Sequence, residues 1–224
     1  MIVAKDIKKY YENGLIKALN GISFEIQSGE IVAIMGPSGC GKSTLLNIIG
    51  ALDLPTEGEI TIDGKNLLQY KPFHTFRSSM IGFIFQFHHL IPSLTLLENV
   101  EIPLYTQKLN KAERRKRASE MLIALGLKDR MNFLPTRVSG GERQCAAIAR
   151  ALINNPRIVL TDELTGNLDT ITGDYVMKLV LNLCREKHIT FILATHNHEI
   201  AIQADRIIKM KNGLIEPSGS GLES

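Results

Sequence analysis

The feature that most constrains this chain is the segment GPSGCGKS at residues 36–43. It matches the pattern G-x-x-x-x-G-K-[ST], in which a glycine-rich loop surrounds phosphate oxygens with backbone N–H groups. The apolar run at 30–35 predicts a buried strand before the loop, and residues 43–52 predict a helix after it. This order places a helix N-terminus, with its positive partial charge, against a phosphate. The loop therefore predicts a phosphate-binding site in an α/β fold.

Four side chains in two segments have predicted roles in phosphate chemistry. Lys42 is expected to reach the β- and γ-phosphates of a nucleotide, and the Ser43 hydroxyl is expected to bind Mg²⁺. In the segment RIVLTDE, Asp162 ends an apolar run, where a carboxylate can order the Mg²⁺ shell. Glu163 follows directly and is the candidate to polarise an attacking water. A P-loop ATPase, a GTPase and a small-molecule kinase all fit these residues.

Strand patterns recur along the rest of the chain. The runs at 157–163 and 189–196 are apolar and end in polar residues, as buried parallel strands do. Residues 204–216 are expected to close the fold as a hairpin, with Asn212-Gly213 as its turn. The other predicted strands are residues 22–26, 30–35, 58–63 and 81–86.

Helical patterns dominate residues 87–150, which lack strand signals and are expected to form a helical insertion. Within it, residues 110–126 predict a helix with Asn110 as its N-cap and Gly126 as its stop. A Glu113–Arg117 pair, four residues apart, is expected to support that helix. A further amphipathic helix is predicted at residues 172–187.

The segment VSGGERQCAAIAR at 138–150 narrows the class. Ser139 and Glu142 have capping-box spacing at the start of a predicted helix. A glycine inside a helix costs about 1 kcal/mol relative to alanine. Gly140 and Gly141 are understandable if this helix N-terminus must approach an anion with no Cβ in the way. Since one phosphate cradle already exists, the second is expected to grip a nucleotide held by another copy of the chain.

Together these motifs resemble those of the nucleotide-binding subunit of an ATP-binding cassette (ABC) transporter. The glycine-rich loop corresponds to the Walker A motif, Asp162 and Glu163 to Walker B, and VSGGE at 138–142 to the signature LSGGQ. The remaining matches are a Q-loop at Gln86, a D-loop at 166–169 and a switch histidine at His196. The resemblance implies an α/β fold: a P-loop ATPase core with a mixed sheet, an antiparallel β subdomain and an inserted helical subdomain.

The resemblance covers about residues 1–216 and implies one ABC ATPase domain over the whole 224 residues. Its core is expected at about 1–86 and 151–216, with the helical subdomain at about 87–150. The tail at 217–224 is rich in Gly and Ser and is expected to be flexible.

Residue roles follow from the matched motifs. Tyr11 is expected to stack on adenine, with Tyr10 as the alternative because the segment KKYYENG allows either register. Gln86 is expected to sense Mg²⁺ and the attacking water, and His196 to hold the γ-phosphate and Glu163. The implied catalytic residues are Glu163, His196, Gln86 and Lys42; the implied ATP contacts are Tyr11, Gly36, Ser38, Gly39, Cys40, Gly41, Lys42, Ser43, Thr44, Ser139, Gly140, Gly141, Glu142 and Asp169; and the implied Mg²⁺ ligands are Ser43, Gln86 and Asp162.

The resemblance implies a head-to-tail homodimer that sandwiches two ATP molecules, and a separate transmembrane permease subunit. No stretch approaches the roughly 18 consecutive apolar residues of a membrane span, so a cytoplasmic protein is expected, held on the inner face of the membrane by its partner. A net charge of +3 is too weak a bias to argue for nucleic acid.

The longer motifs are similar to those of the lipoprotein-releasing and macrolide-exporting group of ABC ATPases. These motifs lie at residues 35–60, 81–104 and 165–169. The resemblance leaves open the cell-division type of membrane ATPase, a soluble ABC ATPase of translation or DNA repair, and a regulatory module that does not hydrolyse ATP. The transported substrate is not specified by these residues.

Three positions depart from the usual family pattern. Glu142 replaces glutamine, and the neighbouring Arg143 is expected to offset its charge. Cys145 stands where the family usually has arginine, which removes a charge and five hydrogen-bond donors. Leu164 replaces a proline, so the loop after Glu163 is expected to be looser. Hydrolysis is still expected because the catalytic residues are all present.

Two further segments have interpretations that depend on exposure. FHHLIPSL at 87–94 places apolar residues in a loop, and it is expected to help form a groove for a helix of the membrane partner, with Leu90 and Ile91 as contacts. RRKR at 114–117 lies in a predicted helix that also carries acidic residues, so a solvated surface is expected there.

Overall fold

A computed structural model describes residues 1–217 of the chain, and the tail predicted at 217–224 lies outside that range apart from Pro217. The strands in the described part are β1 Ile2–Tyr11, β2 Ile16–Ile26, β3 Ile31–Met35, β4 Glu57–Ile62, β5 Lys65–Asn66, β6 Ile81–Phe85, β7 Ile158–Asp162, β8 Thr190–Thr195, β9 Arg206–Lys211 and β10 Leu214–Ile215.

The strands form two sheets. The larger has the order β10-β9-β3-β8-β7-β6. Its five strands β9, β3, β8, β7 and β6 are parallel to one another, and β10 pairs antiparallel with β9. The smaller is antiparallel, in the order β2-β1-β4-β5. Asn212 and Gly213 both have positive φ, as a two-residue hairpin turn requires. The mixed sheet, the antiparallel sheet and the closing hairpin are confirmed.

β1 is a strand that the sequence pattern did not predict. It contains three lysines and an aspartate, and its register shifts between Ala4 and Ile7 against β2. Such a bulge interrupts the alternation of buried and exposed residues on which strand prediction depends. Ile2, Ala4 and Ile7 are nevertheless buried, so the strand contributes fully to the core.

The helices lie between the strands. The α-helices are α1 Lys42–Ile49, α2 Phe73–Met80, α3 Leu96–Glu101, α4 Lys111–Ala124, α5 Gly140–Leu152, α6 Thr170–Glu186 and α7 His198–Ala201, and the 3₁₀ helices are Glu12–Gly14, Leu67–Tyr70, Ile102–Thr106 and Pro135–Arg137. Helices α3, α4 and α5 lie between β6 and β7, which is where the sequence predicts a helical insertion. In residues 1–217, no helix combines the length and the apolar character that a membrane crossing needs.

Capping boxes begin α3, α4 and α5, and each one satisfies two backbone N–H groups. In α4 this commits Glu113, which accepts from the Asn110 N–H at 2.9 Å. The predicted Glu113–Arg117 pair is therefore wrong. Arg117 donates to Gln107 instead, and the pair four residues apart joins Lys116 and Glu120 at 3.9 Å.

Two apolar clusters lie on opposite faces of the larger sheet. In β3, Ile31 and Ala33 pack with helices α3 to α6, whereas Val32 and Ile34 pack with α1 and the smaller sheet. Because both faces are covered, the sheet's carboxyl edge, where the strands end, is the exposed place where polar side chains can converge.

Candidate active site

The predicted site segments meet at the carboxyl edge of the larger sheet. Met35 pairs with Thr195, Asp162 with Ala194, and Phe85 with Asp162, so β3, β8, β7 and β6 end at about the same level. The residues that follow each strand therefore become neighbours. They are the glycine-rich loop after β3, Glu163 after β7, His196 after β8 and Gln86 after β6.

The glycine-rich loop is tightly packed, and two of its carbonyl groups bind Lys42. Gly41 has φ +105° and a Cβ there would lie 2.5 Å from the Ala18 carbonyl oxygen, so only glycine fits. Lys42 is buried, and its Nζ donates to the carbonyls of Gly36 at 2.7 Å and Pro37 at 3.0 Å. The ammonium is thus fixed above the loop. Ser38, Gly39 and Ser43 are exposed, Gly36 and Thr44 are partly buried, and the Cys40 side chain is buried in the core.

Ser43 and Asp162 lie together, as predicted for Mg²⁺ ligands. The Ser43 hydroxyl donates to Asp162 Oδ2 at 2.5 Å. One hydroxyl and one carboxylate are hard oxygen donors, and Mg²⁺ is usually bound by one or two such groups together with waters and phosphates. The donor set fits the ion.

Gln86, the third predicted ligand, is directed elsewhere. Its backbone carbonyl accepts from Asn167 at 3.1 Å, and its side-chain amide lies against Gly166 of the D-loop. Within residues 1–217 it makes no hydrogen bond to Ser43 or Asp162. The structure therefore connects Gln86 to the D-loop and leaves the other two predicted ligands as a pair.

Glu163 and His196 form the shortest contact of the site that involves a candidate base. His196 Nδ1 lies 2.6 Å from Glu163 Oε1, and the His196 backbone N–H donates to the same oxygen at 3.1 Å. The Thr195 hydroxyl donates to Oε2 at 3.4 Å. Glu163 has φ +52°, a backbone conformation that costs a non-glycine residue about 1–3 kcal/mol. The carboxylate thereby contacts Thr195 and His196 at the end of the neighbouring strand β8.

Tyr11 lies beside the loop and Tyr10 projects from the adjacent strand position. The Tyr11 hydroxyl donates to Asp53 Oδ2 at 2.8 Å, and Lys9 binds the other Asp53 oxygen at 2.6 Å. Burial, and then the bond to Asp53, raise the pKa of Tyr11. Burial alone would raise the pKa of Asp53, but hydrogen bonds from Lys9 and Tyr11 hold it below its usual range. The backbone N–H of Tyr10 donates to Thr56.

Ser139 and Glu142 close the predicted capping box at the start of α5. The Ser139 N–H donates to Glu142 Oε2 at 2.7 Å, and the Glu142 N–H donates to Ser139 Oγ at 3.2 Å. Arg130 donates to the other carboxylate oxygen at 3.0 Å. The backbone bond from Ser139 is the main cause that lowers the pKa of Glu142. Arg143 donates to the Val138 carbonyl at 2.7 Å, so the direct ion pair of Glu142 is with Arg130.

The two signature glycines also meet neighbours within one chain. A Cβ on Gly141 would lie 2.5 Å from Thr172 Cγ2, and a Cβ on Gly140 would lie 3.4 Å from Leu168. The close approach of α6 is therefore a second reason for a glycine at 141, beside the predicted approach of an anion.

Cys145 is buried next to the signature. Its side chain lines a cavity of about 230 Å³, and burial raises the pKa of its thiol to about 11. The cavity also contacts Ser139, which is the N-cap of α5, Glu142 on α5, and Tyr175 on α6. Where the family usually has an arginine, this chain thus has a neutral thiol beside an open space.

The loop after Glu163 is held by its own side chains. Leu164 is buried in the apolar cluster, so the expected loosening is not what the structure contains. Asp169 caps α6 by accepting from the Thr172 N–H at 3.0 Å, and this backbone bond is the largest cause that lowers its pKa. Asp169 also lines a cavity of about 150 Å³ with Asn197 and Glu199.

A groove of about 460 Å³ opens beside the Q-loop. Arg150 lines it and donates to the carbonyls of His88 at 2.7 Å and His89 at 2.5 Å, two residues with positive φ. Leu90 is buried in the core, so its predicted role as a docking contact is wrong, while Ile91 is 43% exposed. The groove lining is Leu52, His74, Arg77, Ser78, Ile81, Gly82, Phe83, Phe85, His89, Pro103, Arg150, Ala151 and Asn154.

Four residues with evident roles were missed by the sequence interpretation. They are Asp53, which holds Tyr11; Arg130, which pairs with Glu142; Arg150, which fixes the Q-loop; and Thr195, which binds Glu163. None of them occupies a position to which the nucleotide-binding motifs assign a role. Only Thr195 carried a signal, because it directly precedes the predicted switch histidine.

Comparisons with known proteins agree with this geometry. A family model described as "ABC transporter" matches residues 19–166. The chain is 44% identical, over 96% of its length and 97% of the relative's, to the lipoprotein-releasing system ATP-binding protein LolD of Rickettsia prowazekii. It is 46% identical to the macrolide export ATP-binding/permease protein MacB of Brucella melitensis, over 96% of this chain but 34% of that protein.

A solved structure is similar over almost the whole chain. The dimeric, post-hydrolysis ATP-binding cassette MJ0796, bound to ADP and Pi, superposes with a TM-score of 0.88 at 45% identity. The match covers 97% of each chain.

Proposed function

The chain belongs to the ABC transporter family as an ATP-binding ATPase, and from that membership we propose that it powers a membrane transport complex of the export or lipoprotein-release type. The printed names of the relatives support this class: LolD is an ATP-binding protein of lipoprotein release, and MacB is an ATP-binding and permease protein of macrolide export. In this proposal the chain lies at the cytoplasmic face of the membrane and its permease is a separate polypeptide.

The observation that carries the proposal is the Glu163–His196 pair next to Ser43 and Asp162. A carboxylate within reach of a bound γ-phosphate can accept a proton from the attacking water. Three donors from Thr195 and His196 fix the orientation of that carboxylate before substrate arrives. Such preorganisation is what lowers the barrier in phosphoryl transfer, where the protein mainly positions groups and stabilises charge.

His196 has two ring nitrogens with different tasks in this arrangement. Because Nδ1 lies 2.6 Å from an acceptor-only carboxylate, Nδ1 carries the proton of that hydrogen bond. Nε2 is then free to face the nucleotide, and it can donate to a phosphate oxygen when the ring is protonated. His196 is 66% exposed at its side chain, as a group that must meet a ligand from outside would be.

Lys42, Ser43 and Asp162 form the proposed phosphate and Mg²⁺ half of the site. The Lys42 ammonium, now shared between two loop carbonyls, is placed to exchange one of these for phosphate oxygens. When bound, Mg²⁺ neutralises charge that develops on the phosphates. Ser43 and Asp162 would hold it, and we propose that Gln86 joins them only when the Q-loop moves.

We propose that two copies of the chain complete each site. Ser139 at the tip of α5 presents a capped helix N-terminus, which is suited to an anion. The dimeric cassette MJ0796 supports a dimer of this chain. The ATP contacts proposed for Gly140, Gly141 and Glu142 belong to the partner copy's nucleotide, and those of Tyr11 and the glycine-rich loop to the chain's own.

The groove beside the Q-loop is the proposed contact with the permease. Its floor is apolar, with Phe83 and Phe85 stacked at 5.5 Å between ring centroids. Its rim carries Arg150, which holds the backbone that follows Gln86. A helix seated in this groove would therefore be linked mechanically to the nucleotide site.

The experiment compares two substitutions of equally exposed leucines. Leu52 lines the groove and is 48% exposed, whereas Leu214 lies on β10 and is 47% exposed. We expect Leu52→Glu to abolish stimulation of ATPase activity by the co-expressed permease while basal activity persists. Leu214→Glu should leave both unchanged. Equal stimulation in both variants would refute the docking site, and absence of basal ATPase activity in the wild type would refute the proposed function.

A further inference from the structure

The most uneven charge in the molecule lies in residues 105–117, here named the basic segment. It contains six Lys or Arg residues and one Glu, a local net charge of +5. Since the whole chain carries +3, the remaining residues carry −2 together. The basic segment comprises the loop before α4 and the first two turns of that helix, and it is the main local excess of positive charge in the chain.

The chain itself neutralises little of this charge. Glu113 is committed to the cap of α4, and Glu98, which Lys111 and Arg115 face across from α3, is bound to Thr95. The hydrogen bonds from Thr95 are the main cause that lowers the pKa of Glu98, with Arg115 and Lys111 contributing less. In the described part of the chain, Lys108, Lys111 and Arg115 form no ion pair within 4.0 Å.

Cations at this end of a helix are also locally unfavourable. The N-terminus of a helix carries a positive partial charge that favours acidic side chains. α4 has Glu113 in its first turn, but it begins with Lys111 and continues with Arg114 and Arg115. A sequence that breaks a local rule without compensation inside the chain indicates a partner outside it.

The basic segment adjoins the groove beside the Q-loop. Arg117 donates to Gln107, and Gln107 donates to Asn154, which lines the groove beside the Q-loop. Pro103, two residues before the segment, lines the same groove. The basic segment is therefore a continuation of the groove wall.

An exposed aromatic ring lies in the same segment. Tyr105 is 64% exposed, and the Arg114 guanidinium lies 4.2 Å from its ring centroid. A tyrosine with an apolar ring and a polar hydroxyl, next to several cations, is the combination found at the boundary between headgroups and water.

We propose that the basic segment binds anionic lipid headgroups of the membrane surface beside the permease. This inference rests on the proposed function, because the groove gives the segment its orientation towards the membrane. Each Lys or Arg near an anionic leaflet contributes attraction that decays within a Debye length, so several clustered cations hold a protein close to the surface. Since the rest of the chain carries a net charge of −2, the excess of positive charge is confined to this segment, which favours a localised contact over the extended basic tract that a nucleic acid would need.

The test measures co-sedimentation of the full chain with vesicles. One set contains phosphatidylcholine only, and the other contains phosphatidylcholine with phosphatidylglycerol. We expect binding to the anionic vesicles only, weakening as salt rises. Replacing Lys108, Lys111 and Arg115 by glutamine should reduce the partition coefficient at least about tenfold.

A matched control removes the same charge elsewhere. Lys5, Lys178 and Lys209 are exposed and lie outside the basic segment, and their replacement by glutamine should change vesicle binding less than about twofold. Equal losses in the two triple variants, or equal binding to both vesicle types, would overturn the proposal. Tighter binding to duplex DNA than to anionic vesicles at the same salt would overturn it in favour of a nucleic acid.

Two further readouts separate this inference from the proposed function. Basal ATPase activity should be the same in both triple variants, because none of the six residues lies at the nucleotide site. Assembly with the permease in neutral detergent should also persist in the basic-segment variant. Loss of vesicle binding with intact assembly supports the lipid contact, and loss of assembly itself in that variant would show a protein contact and contradict the proposal.

Discussion

The carboxyl edge of the larger sheet and the tip of α5 differ in how complete they are within one chain. At the edge, Ser43 is hydrogen-bonded to Asp162 and Glu163 to His196, while Lys42 is held by two carbonyls of its own loop. At the tip, Ser139 and Glu142 are satisfied only by each other and by Arg130, in an exposed position. The edge thus brings the candidate catalytic groups together within one chain, whereas the tip leaves a capped helix end exposed, and there we propose that a second copy binds.

The two regions also differ in how far they depart from the family pattern. The edge retains each expected catalytic residue, but the α5 segment has Glu142 and Cys145 where glutamine and arginine are usual. Arg130 offsets the negative charge of Glu142. The buried Cys145 thiol is unreactive because it stays protonated well above neutral pH. Changes at the tip should therefore have smaller effects on catalysis than changes at the edge.

The largest effect is expected for Glu163→Gln. The amide can still accept from His196, but it cannot accept a proton from water, so ATPase activity should fall about 100-fold or more. ATP binding should persist, and with ATP and Mg²⁺ the variant should elute as a dimer in size-exclusion chromatography. Glu186→Gln, at the far end of α6, is the control. Activity within threefold of wild type, or a monomer under those conditions, would contradict the assignment.

Ser139→Ala is expected to have an intermediate effect that separates the two regions. Loss of the cap should destabilise the chain by about 1 kcal/mol, and ATP-dependent dimerisation should weaken while ATP binding to the monomer is unchanged. Asn110→Ala removes the equivalent capping box of α4 and should cost similar stability without affecting the dimer. Analytical ultracentrifugation with and without ATP distinguishes the two. Equal loss of dimer in both variants would mean that Ser139 acts only as a cap.

The Arg130–Glu142 pair is expected to contribute less. It is partly exposed, so its coupling energy should not exceed about 1 kcal/mol. Arg130→Gln should weaken ATP-dependent dimerisation up to about fivefold in the natural sequence, because it leaves a carboxylate uncompensated near the proposed phosphate contact. In a Glu142→Gln background the same change should have almost no effect. An undiminished effect there would show that Arg130 acts independently of Glu142.

The smallest effect is expected from thiol reagents. Because burial raises the pKa of Cys145 to about 11, the thiol is protonated at pH 8 and only a small fraction is the reactive thiolate. Iodoacetamide at pH 8 should leave ATPase activity within about twofold, with alkylation of Cys145 measured by mass spectrometry. The same reagent after unfolding should modify all three cysteines. Rapid alkylation in the folded protein would contradict the burial of this side chain.

The sequence predicted the edge better than the rest because its residues follow directly from strand and loop order. Asp162, Glu163 and His196 each end or follow an apolar strand, and parallel strands bring such ends together. β1 was missed because its bulge and lysines hide the alternation. The role of Arg130 could not be predicted, since its partner Glu142 is twelve residues away and the two meet only once α4 and α5 have packed.

Sequence-based prediction also fails where one side chain can form either of two interactions. Glu113 could pair with Arg117 or close a capping box, and the box prevails because it satisfies otherwise unpaired backbone N–H groups. Leu90 was expected at the surface because it lies in a loop. Asn99 pulls that loop inward, since it bonds the backbone of Ile91 on both sides, and this buries the leucine.

The central claim is that each nucleotide site is completed by the other copy, and complementation between two inactive variants tests it most directly. Lys42→Ala removes the ammonium proposed to bind phosphate at the carboxyl edge. Ser139→Arg places a bulky side chain at the tip of α5, where the partner's nucleotide is proposed to bind. In mixed head-to-tail dimers one site is doubly impaired and the other is intact, so an equimolar mixture should recover roughly a quarter of wild-type ATPase activity. Activity no higher than the sum of the two variants alone would contradict the shared site and confine catalysis to a single chain.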